Sequence, residues 1–201
     1  YRTPPVGLML VFLALHCGFT MAFESVYPTH SMQALGGGDK AFSLIIAFFG
    51  GGAVLGVLTI AGIREDRTKG RALLISAVGS SFAVLVMAFA TNLYVGLAGA
   101  FVMGMFQAPF MSLSNAFIQA VVPDAIRGRV SSLFTMSALS LMALANLGYG
   151  WLADLYTSAS VMAIPAGVFF GVVLLAMLLV GTLRTIFLHG FAAVAPQLRV
   201  A

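Results

Sequence analysis

Long apolar runs separated by short polar links dominate the chain. Six of these runs reach about 20 residues, the length that a helix needs to cross a hydrocarbon core of about 30 Å. The pattern predicts a single all-α integral membrane domain over residues 1–201, with no extramembrane domain. The six predicted transmembrane helices lie at about 6–27, 41–63, 72–91, 93–121, 130–153 and 158–183.

The composition agrees with this pattern. Of the 201 residues, 61% are hydrophobic and 8% are charged, whereas a soluble domain carries roughly 25% charged residues. These values exclude an ordinary soluble protein and make the lipid bilayer the expected partner. The net charge of +4 does not indicate nucleic acid, because the basic residues stand between apolar runs instead of clustering on a solvated face.

The distribution of charge predicts the orientation. Nine of the ten Lys and Arg residues fall on one side of the predicted helices, and Lys40 alone falls on the other. Because basic residues are retained on the cytoplasmic face, we expect a multi-pass protein of the cell (inner) membrane with both termini in the cytoplasm. Aromatic residues near the opposite helix ends predict the same orientation, since their rings favour the headgroup level: Tyr27, Tyr94, Tyr149, Trp151 and Tyr156.

The first residues of the chain do not have the pattern of a signal peptide. The apolar run over residues 6–23 is unbroken and has no cleavage site of small residues. We therefore expect Tyr1 to mark a truncated or processed start. The single cysteine, Cys17, cannot form an internal disulfide and does not indicate a redox compartment.

Several glycines have the spacing of helix contacts. Gly52 and Gly56, and likewise Gly167 and Gly171, form G-x-x-x-G pairs, which let two helix backbones approach closely. The Gly50–Gly52 run adds a flexible patch. Helix packing is the simpler interpretation of these glycines, and bending during transport is the alternative.

A first polar stripe lies in the first predicted helix. His16, Thr20 and Glu24 are four residues apart in sequence, so a continuous helix would place them on one face. Ionisable groups at membrane depth are costly and mark functional sites by default. The stripe could conduct protons or bind substrate. Alternatively, Glu24 reaches water at the outer edge and His16 bonds to a neighbouring helix.

A second polar stripe lies in the fourth predicted helix. Ser112, Asn115 and Gln119 share one face there, Gln107 precedes them, and Asn146 lies in the next helix. Neutral amides and hydroxyls can line a cavity for an uncharged or amphipathic ligand, or they can hold helices together. We expect no cofactor and no metal site, because His16, Cys17, His30 and His189 lack the spacing of metal ligands.

Two of the links between predicted helices carry sequence motifs in addition to the basic residues that predict the orientation. The link over residues 62–71 reads GIREDRTKGR, and it resembles the G-x-x-x-D-R-x-G-R-R loop of the major facilitator superfamily. Lys69 stands where the family has its second glycine, and Gly70 follows one position later. The matching residues are Gly62, Asp66, Arg67 and Arg71.

The second link resembles the exporter branch of the same family. The motif of that branch is Q-x-x-x-P-x-x-x-R-G-R-V, and the link over residues 122–130, with Gln119 before it, matches this motif. The pair Tyr27-Pro28 also fits siderophore-exporter-like and multidrug-exporter-like members. The resemblance implies two three-helix repeats that form the C-terminal half of a twelve-helix fold in a longer transporter. The residues that match the motif are Gln119, Pro123, Arg127, Gly128, Arg129 and Val130.

The resemblance also implies a function. Members of this kind are secondary transporters that work by alternating access, so we expect a proton-coupled exporter of small amphipathic molecules. The expected partners are the small-molecule substrate, protons as coupling ion, and a missing N-terminal half or a second six-helix unit. In the family the links hold an inner gate, where Asp66 would accept hydrogen bonds from a helix N-terminus and pair with an arginine.

Three other function classes are weaker. An intramembrane protease would need a reactive serine in a glycine-flanked turn, and Gly79-Ser80 lacks that setting. An ATP-driven pump would need long cytoplasmic extensions, and the chain contains no phosphate-binding G-x-x-x-x-G-K-[ST] motif. We therefore do not expect an enzyme. A membrane scaffold that keeps the bundle without a coupled site is the alternative to transport.

Overall fold

The computed structural model describes residues 4–36 and 38–194, and every regular element within them is helical. Tyr1, Arg2 and Arg199, on which the predicted start and orientation partly depend, lie outside the described residues. The α-helices are α1 (Pro4–His16), α2 (Tyr27–Gln33), α3 (Gly38–Ala61), α4 (Asp66–Ala88), α5 (Leu93–Val121), α6 (Asp124–Leu155), α7 (Ser158–Leu179) and α8 (Gly181–His189). A π-helical turn (Cys17–Met21) follows α1, and a 3₁₀ turn (Ala192–Val194) follows α8.

Five of the described helices are long and apolar enough to cross a membrane, namely α3 to α7. They confirm a multi-pass helical membrane protein. The first predicted helix differs, because the apolar helical stretch there covers only Pro5–Met21. The prediction of one continuous helix over residues 6–27 is therefore wrong.

The break in the first helix has a local cause. The turn Cys17–Met21 is already wound as a π-helix, and Ala22 leaves the helical region with φ −82° and ψ 48°. A new helix, α2, then begins at Tyr27 with Pro28 in its first turn. Proline is tolerated there because the first-turn N–H groups have no partner within the helix. Pro28 thus opens a helix instead of closing one.

The other helix ends show what the hydrophobic pattern misses. α5 has the predicted bounds, and the Asn92 side chain caps it by accepting a hydrogen bond from the Val95 amide at 3.0 Å. α4 and α6 begin several residues earlier than predicted, at Asp66 and Asp124. A carboxylate in the first turn is stabilised by the positive end of the helix, so polar link residues are included in these helices.

The hydrophobic core has two parts, one toward each end of the bundle. One part is centred on Phe12, whose ring lies 5.4 to 5.8 Å from the rings of Phe110, Phe169 and Phe187. The other part surrounds Phe23 and includes residues from α4, α5 and α7. α3 and α6 bury the smallest share of their length, so these two helices present the most exposed surface.

Glycines join α3 to α5. A Cβ atom at Gly52 or Gly56 would overlap the main chain of α5, and one at Gly104 would overlap the main chain of α3. These helices therefore touch backbone to backbone, as the Gly52–Gly56 spacing predicts. Gly167 and Gly171 make no such contact within the described residues, because no atom of them lies within 4 Å of a Cβ built there.

The aromatic residues near the helix ends divide into two groups. Tyr94, Trp151 and Tyr156 are exposed, as residues at a membrane interface would be. Tyr27 and Tyr149 are buried instead, and the Tyr149 ring stacks on Phe23 at 5.1 Å. These two tyrosines belong to the interior of the bundle.

Candidate functional site

The break in the first helix leaves carbonyl groups that side chains from other helices satisfy. Tyr149 on α6 donates its hydroxyl hydrogen bond to the Gly18 carbonyl at 3.0 Å. Gln107 on α5 donates from Nε2 to the Thr20 carbonyl at 2.6 Å. Unpaired backbone groups are costly in a bilayer, so these donors make the break compatible with membrane depth.

Asn146 on α6 binds the chain just beyond the break. Its Oδ1 accepts a hydrogen bond from the Ser25 amide at 2.9 Å, and the Ser25 hydroxyl donates to the Asn146 carbonyl at 2.8 Å. Of the two roles considered for Asn146, contact between segments is therefore the one observed.

His30 anchors the next segment, α2. Its Nε2 lies 3.0 Å from the Met87 carbonyl and can only donate to it, which leaves Nδ1 to accept from the Ser158 hydroxyl at 3.0 Å. Burial lowers the pKa of His30, and the hydrogen bond to Met87 opposes this effect. His30 thus ties α2 to the end of α4 and the start of α7.

A cavity of about 100 Å³ lies beside the break. We call it the Glu24 cavity. Its walls come from the broken segment, α2, α3, α5 and α6, and they are mostly apolar. The lining residues are Met21, Glu24, Tyr27, Ile45, Ile46, Phe49, Ala100, Met103, Gln107 and Met142.

Two polar side chains of this cavity are Glu24, from the first polar stripe, and Gln107, which precedes the second stripe on α5. Glu24 is exposed, and within residues 4–36 and 38–194 it forms no ion pair. Gln107 is buried, and because its Nε2 is held by the Thr20 carbonyl, its Oε1 is the acceptor that is left for a ligand. The fold thus brings together Glu24 and Gln107, which are far apart in sequence.

The Glu24 cavity lies well inside the bundle along the helix axes. At about 1.5 Å per residue, Ile45 and Phe49 stand about 10 to 16 Å from the start of α3. On the same scale, Ala100 and Gln107 stand about 10 to 21 Å from the start of α5. These distances place the cavity well within the length of both helices instead of at their ends.

His16 does not line this cavity. It is completely buried, its Nε2 lies 3.0 Å from the Ser80 hydroxyl, and its ring stacks on Phe110 with centroids 3.8 Å apart. Thr20 is also buried, and its hydroxyl donates to the His16 carbonyl at 2.7 Å. The predicted stripe of His16, Thr20 and Glu24 is therefore divided between the packed core and the cavity.

The second stripe stays together. Ser112, Asn115 and Gln119 line an open groove of about 460 Å³, which also receives Ser131 and Thr135 from α6. We call it the Asn115 groove. It lies toward the opposite end of α5 from the Glu24 cavity, because Ser112 and Gln119 stand about 3 to 14 Å from the end of that helix at about 1.5 Å per residue.

The first motif link packs against the chain that follows α8. Asp66 Oδ2 accepts a hydrogen bond from the Ala192 amide at 2.6 Å, at the start of the 3₁₀ turn, and Arg67 Nε donates to the Leu188 carbonyl at 3.2 Å. Gly190 has a positive φ of 94°, and a Cβ there would lie 2.6 Å from Asp66. The link over residues 62–71 is therefore closely packed against residues 188–192 of the same chain.

Other residues of the two motifs are exposed or bond only to residues close to them in sequence. Gly62, Arg71 and Arg129 are exposed. Arg127 forms an ion pair with Asp124 one turn away and donates from Nη2 to the Val122 carbonyl at 3.2 Å. Among the described residues, no arginine forms an ion pair with Asp66. The role of these residues in a gate stays a prediction.

Several residues of the site give no signal in the sequence. Met21, Met103 and Met142 belong to three different elements, so no spacing could connect them before the fold was known. Tyr149 resembles an interfacial aromatic residue by its position near a helix end. Its hydrogen bond to Gly18 depends on the break, which the apolar pattern conceals.

Comparison with known proteins identifies the family. No significant match was found among curated proteins or among solved structures. A family model described as Major Facilitator Superfamily matches residues 8–187. Members of that family are transporters, which fits the expectation that this protein is not an enzyme. With the match extending over most of its length, the chain belongs to the Major Facilitator Superfamily and is a multi-pass membrane transporter.

Proposed function

We propose that the chain is the C-terminal six-helix half of a proton-coupled exporter of small amphipathic molecules, in the siderophore/multidrug exporter-like branch of the family. In this proposal, Pro5–Met21 and the break beyond it complete the sixth crossing, which gives two three-helix repeats. The protein lies in the cell (inner) membrane with both termini in the cytoplasm. The excess of Lys and Arg on one side of the helices supports this orientation.

The observation that carries the proposal is the position of Glu24 at a helix break beside a cavity. Broken helices near the bilayer midplane are where secondary transporters hold substrates and coupling ions. Among the described residues that line the cavity, Glu24 is the one carboxylate, and most of the others are apolar. A carboxylate in that position can alternate between binding a proton and binding substrate.

Alternating access gives the two polar regions different roles. The Glu24 cavity holds the ligand, and the Asn115 groove forms part of the path on the cytoplasmic side. Exposed hydroxyls and amides such as Asn115 and Gln119 are unfavourable against lipid, so water or a partner covers them. The partner is the N-terminal half or a second six-helix unit, and it packs against the exposed faces of α3 and α6.

Substrate-dependent proton movement tests this function. Proteoliposomes containing the full-length protein and an internal pH dye are exposed to a panel of amphipathic compounds, and we expect at least one compound to change the internal pH. Glu24→Gln removes the titratable group but keeps the side-chain shape, so it should abolish this change. Asp154→Asn is the matched control, because Asp154 is an exposed carboxylate outside the cavity.

The outcomes distinguish the alternatives. A scaffold would show no substrate-dependent pH change with any compound, even in the unmodified protein. Normal proton movement in Glu24→Gln would contradict the coupling role and assign coupling to the partner half. A loss of movement in Asp154→Asn as well would show that surface charge, rather than the cavity, controls the signal.

Asp66 provides a separate test of the gate. We assign its contact with the Ala192 amide to a latch that opens and closes during the cycle. Asp66→Asn weakens a charge-assisted hydrogen bond, so the transport rate should change severalfold while the amount of protein inserted in the membrane stays the same. An unchanged rate would contradict the latch.

A further inference from the structure

His30 lies where three helices meet. Its side chain is completely buried, although α2 is a helix of only 7 residues. Its Nε2 donates to the Met87 carbonyl in the last turn of α4, and its Nδ1 lies 3.0 Å from the Ser158 hydroxyl in the first turn of α7. Two hydrogen bonds from one imidazole therefore tie α2 to two transmembrane helices.

A proton bound to His30 would disturb this arrangement. In the uncharged imidazole, Nε2 carries the hydrogen and Nδ1 accepts from Ser158. A proton that binds at Nδ1 converts this atom into a donor, so the Ser158 hydroxyl has to turn its own hydrogen away. The imidazolium would also lie beside the first turn of α7, which is the positive end of that helix. Both effects oppose a charged His30 in the docked position of α2.

The surroundings of His30 offer little compensation for such a charge. Among the described residues His30 forms no ion pair. The helix α7 contains no ionisable residue, and those of α4 lie in its first two turns, at the opposite end from Met87. Burial and the nearby Glu24 carboxylate raise the pKa of Tyr27, so this neighbour on α2 stays an uncharged phenol. The side chain of Asp39 lies outside the described ones. The remaining ionisable groups on the elements around α2 are exposed: Glu24, Lys40, Tyr94, Asp154 and Tyr156.

The pKa of His30 gives the direction of the effect. His30 is outside α3 to α7 and outside the apolar stretch Pro5–Met21. Burial lowers its pKa from the ordinary value of 6.5, and the hydrogen bond to Met87 opposes this effect without cancelling it. A histidine that moves into water regains its ordinary pKa. The docking of α2 therefore weakens as the pH falls below the ordinary value, by at most about tenfold for each pH unit.

The backbone on both sides of α2 allows it to move as a unit. Before α2, Ala22 leaves the helical region with φ −82° and ψ 48°. After α2, Gly36 has a φ of 67°, a conformation that glycine adopts without strain. Non-helical joints on both sides let α2 change its position while α3, α4 and α7 stay packed together.

We propose that His30 is an acid-sensitive switch: α2 is docked on α4 and α7 while His30 is unprotonated, and it separates from them when His30 binds a proton at Nδ1. The proposal goes beyond the transport function, because it concerns the position of α2 and holds whatever the protein transports.

Distances between spin labels test the docking of α2 directly. Met32→Cys on α2 and Tyr94→Cys at the start of α5 provide two exposed attachment sites, and Cys17→Ala removes the native thiol of this chain. The labelled full-length protein in lipid nanodiscs is measured by double electron–electron resonance between about pH 7.5 and about pH 4.5, a range that brackets the ordinary pKa of histidine. We expect one narrow distance at the higher pH and a second, longer distance that grows as the pH falls.

Four variants assign the response to a residue. His30→Gln keeps a donor and an acceptor but does not titrate, so α2 should stay docked at every pH. His189→Gln is the matched control, because His189 is an exposed histidine on α8, and it should leave the pH response unchanged, as should Asp39→Asn. Ser158→Ala removes a hydrogen bond that favours the unprotonated imidazole, so it should move the midpoint of the response to higher pH.

Several results would overturn the switch. One is a distance distribution that stays the same over the whole pH range, and another is an undiminished pH response in His30→Gln. Loss of the response in His189→Gln would assign it to a different histidine. If the amide of His30→Gln does not dock α2 at the higher pH, Ser158→Ala decides: an upward shift of its midpoint supports the switch, and an unchanged midpoint contradicts it.

Discussion

The two polar stripes of this chain have similar spacing in sequence but different positions in the structure. Ser112, Asn115 and Gln119 stay on one face of α5 and line a single groove. His16 and Glu24 are separated instead: one is packed in the core and the other is exposed beside a cavity. The difference arises because α5 is continuous through its stripe, whereas the first helix changes to a π-turn and ends between His16 and Glu24.

Regular spacing in sequence predicts that residues share one face of a helix only where the α-helix is continuous. Residues four apart lie above one another only while each turn contains 3.6 residues. A π-turn rotates the following residues away from the stripe, and the non-helical segment after Met21 removes the relation altogether. Polar residues before and after such a break can therefore have separate roles even when their spacing looks regular.

The largest expected effect concerns His16. If it is a packing residue, His16→Ala removes a buried ring from contact with Phe110 and Phe169 and should lower the free energy of unfolding by about 3 kcal/mol. Glu24→Ala, at an exposed position, should change it by less than about 0.5 kcal/mol. Unfolding in mixed micelles of increasing SDS content, followed by circular dichroism, measures both variants.

Equal stability of the two variants would contradict the different positions of the two residues, because it would mean that His16 is no more buried than Glu24. Transport adds a second readout. We expect Glu24→Ala to lose proton coupling at normal stability, whereas any transport loss in His16→Ala should follow the amount of folded protein.

A smaller effect is expected for Gln107, which donates a hydrogen bond to the Thr20 carbonyl at the break in the first helix. Gln107→Leu removes the hydrogen bond to the buried Thr20 carbonyl and should cost about 1 to 3 kcal/mol of unfolding free energy. Gln119→Leu is the matched control in the Asn115 groove, where the side chain is exposed, and its cost should be near zero. The same SDS unfolding measurement, performed on both variants, gives the two free-energy costs.

A similar cost for Gln107→Leu and Gln119→Leu would contradict the role of Gln107 in stabilising the break. Amide exchange gives independent information, since loss of this support should increase exchange in residues 17–26 and leave α5 unchanged near Gln119. Faster exchange in both regions would indicate general destabilisation instead.

Much of the fold is predictable from the sequence because membrane helices are long and strongly apolar. The bounds of α5 match the prediction, helped by the cap at Asn92, and the close approach at Gly52 and Gly56 follows from their spacing. The site is less predictable. Glu24 and Gln107 are recognisable as polar residues in apolar runs, but nothing in the linear pattern indicates that both line one cavity.

The membrane class, the family and the helical bundle can be recognised before the structure is known, because hydrophobic length and motif residues act locally. Which polar residues share a site depends on how the helices pack together. Gln107, Tyr149 and Asn146 come from other helices to bind the broken segment, and without such partners a break at membrane depth would leave backbone groups unpaired. Hydrogen-bond satisfaction in a bilayer depends on contacts between helices, and spacing along one helix does not record those contacts.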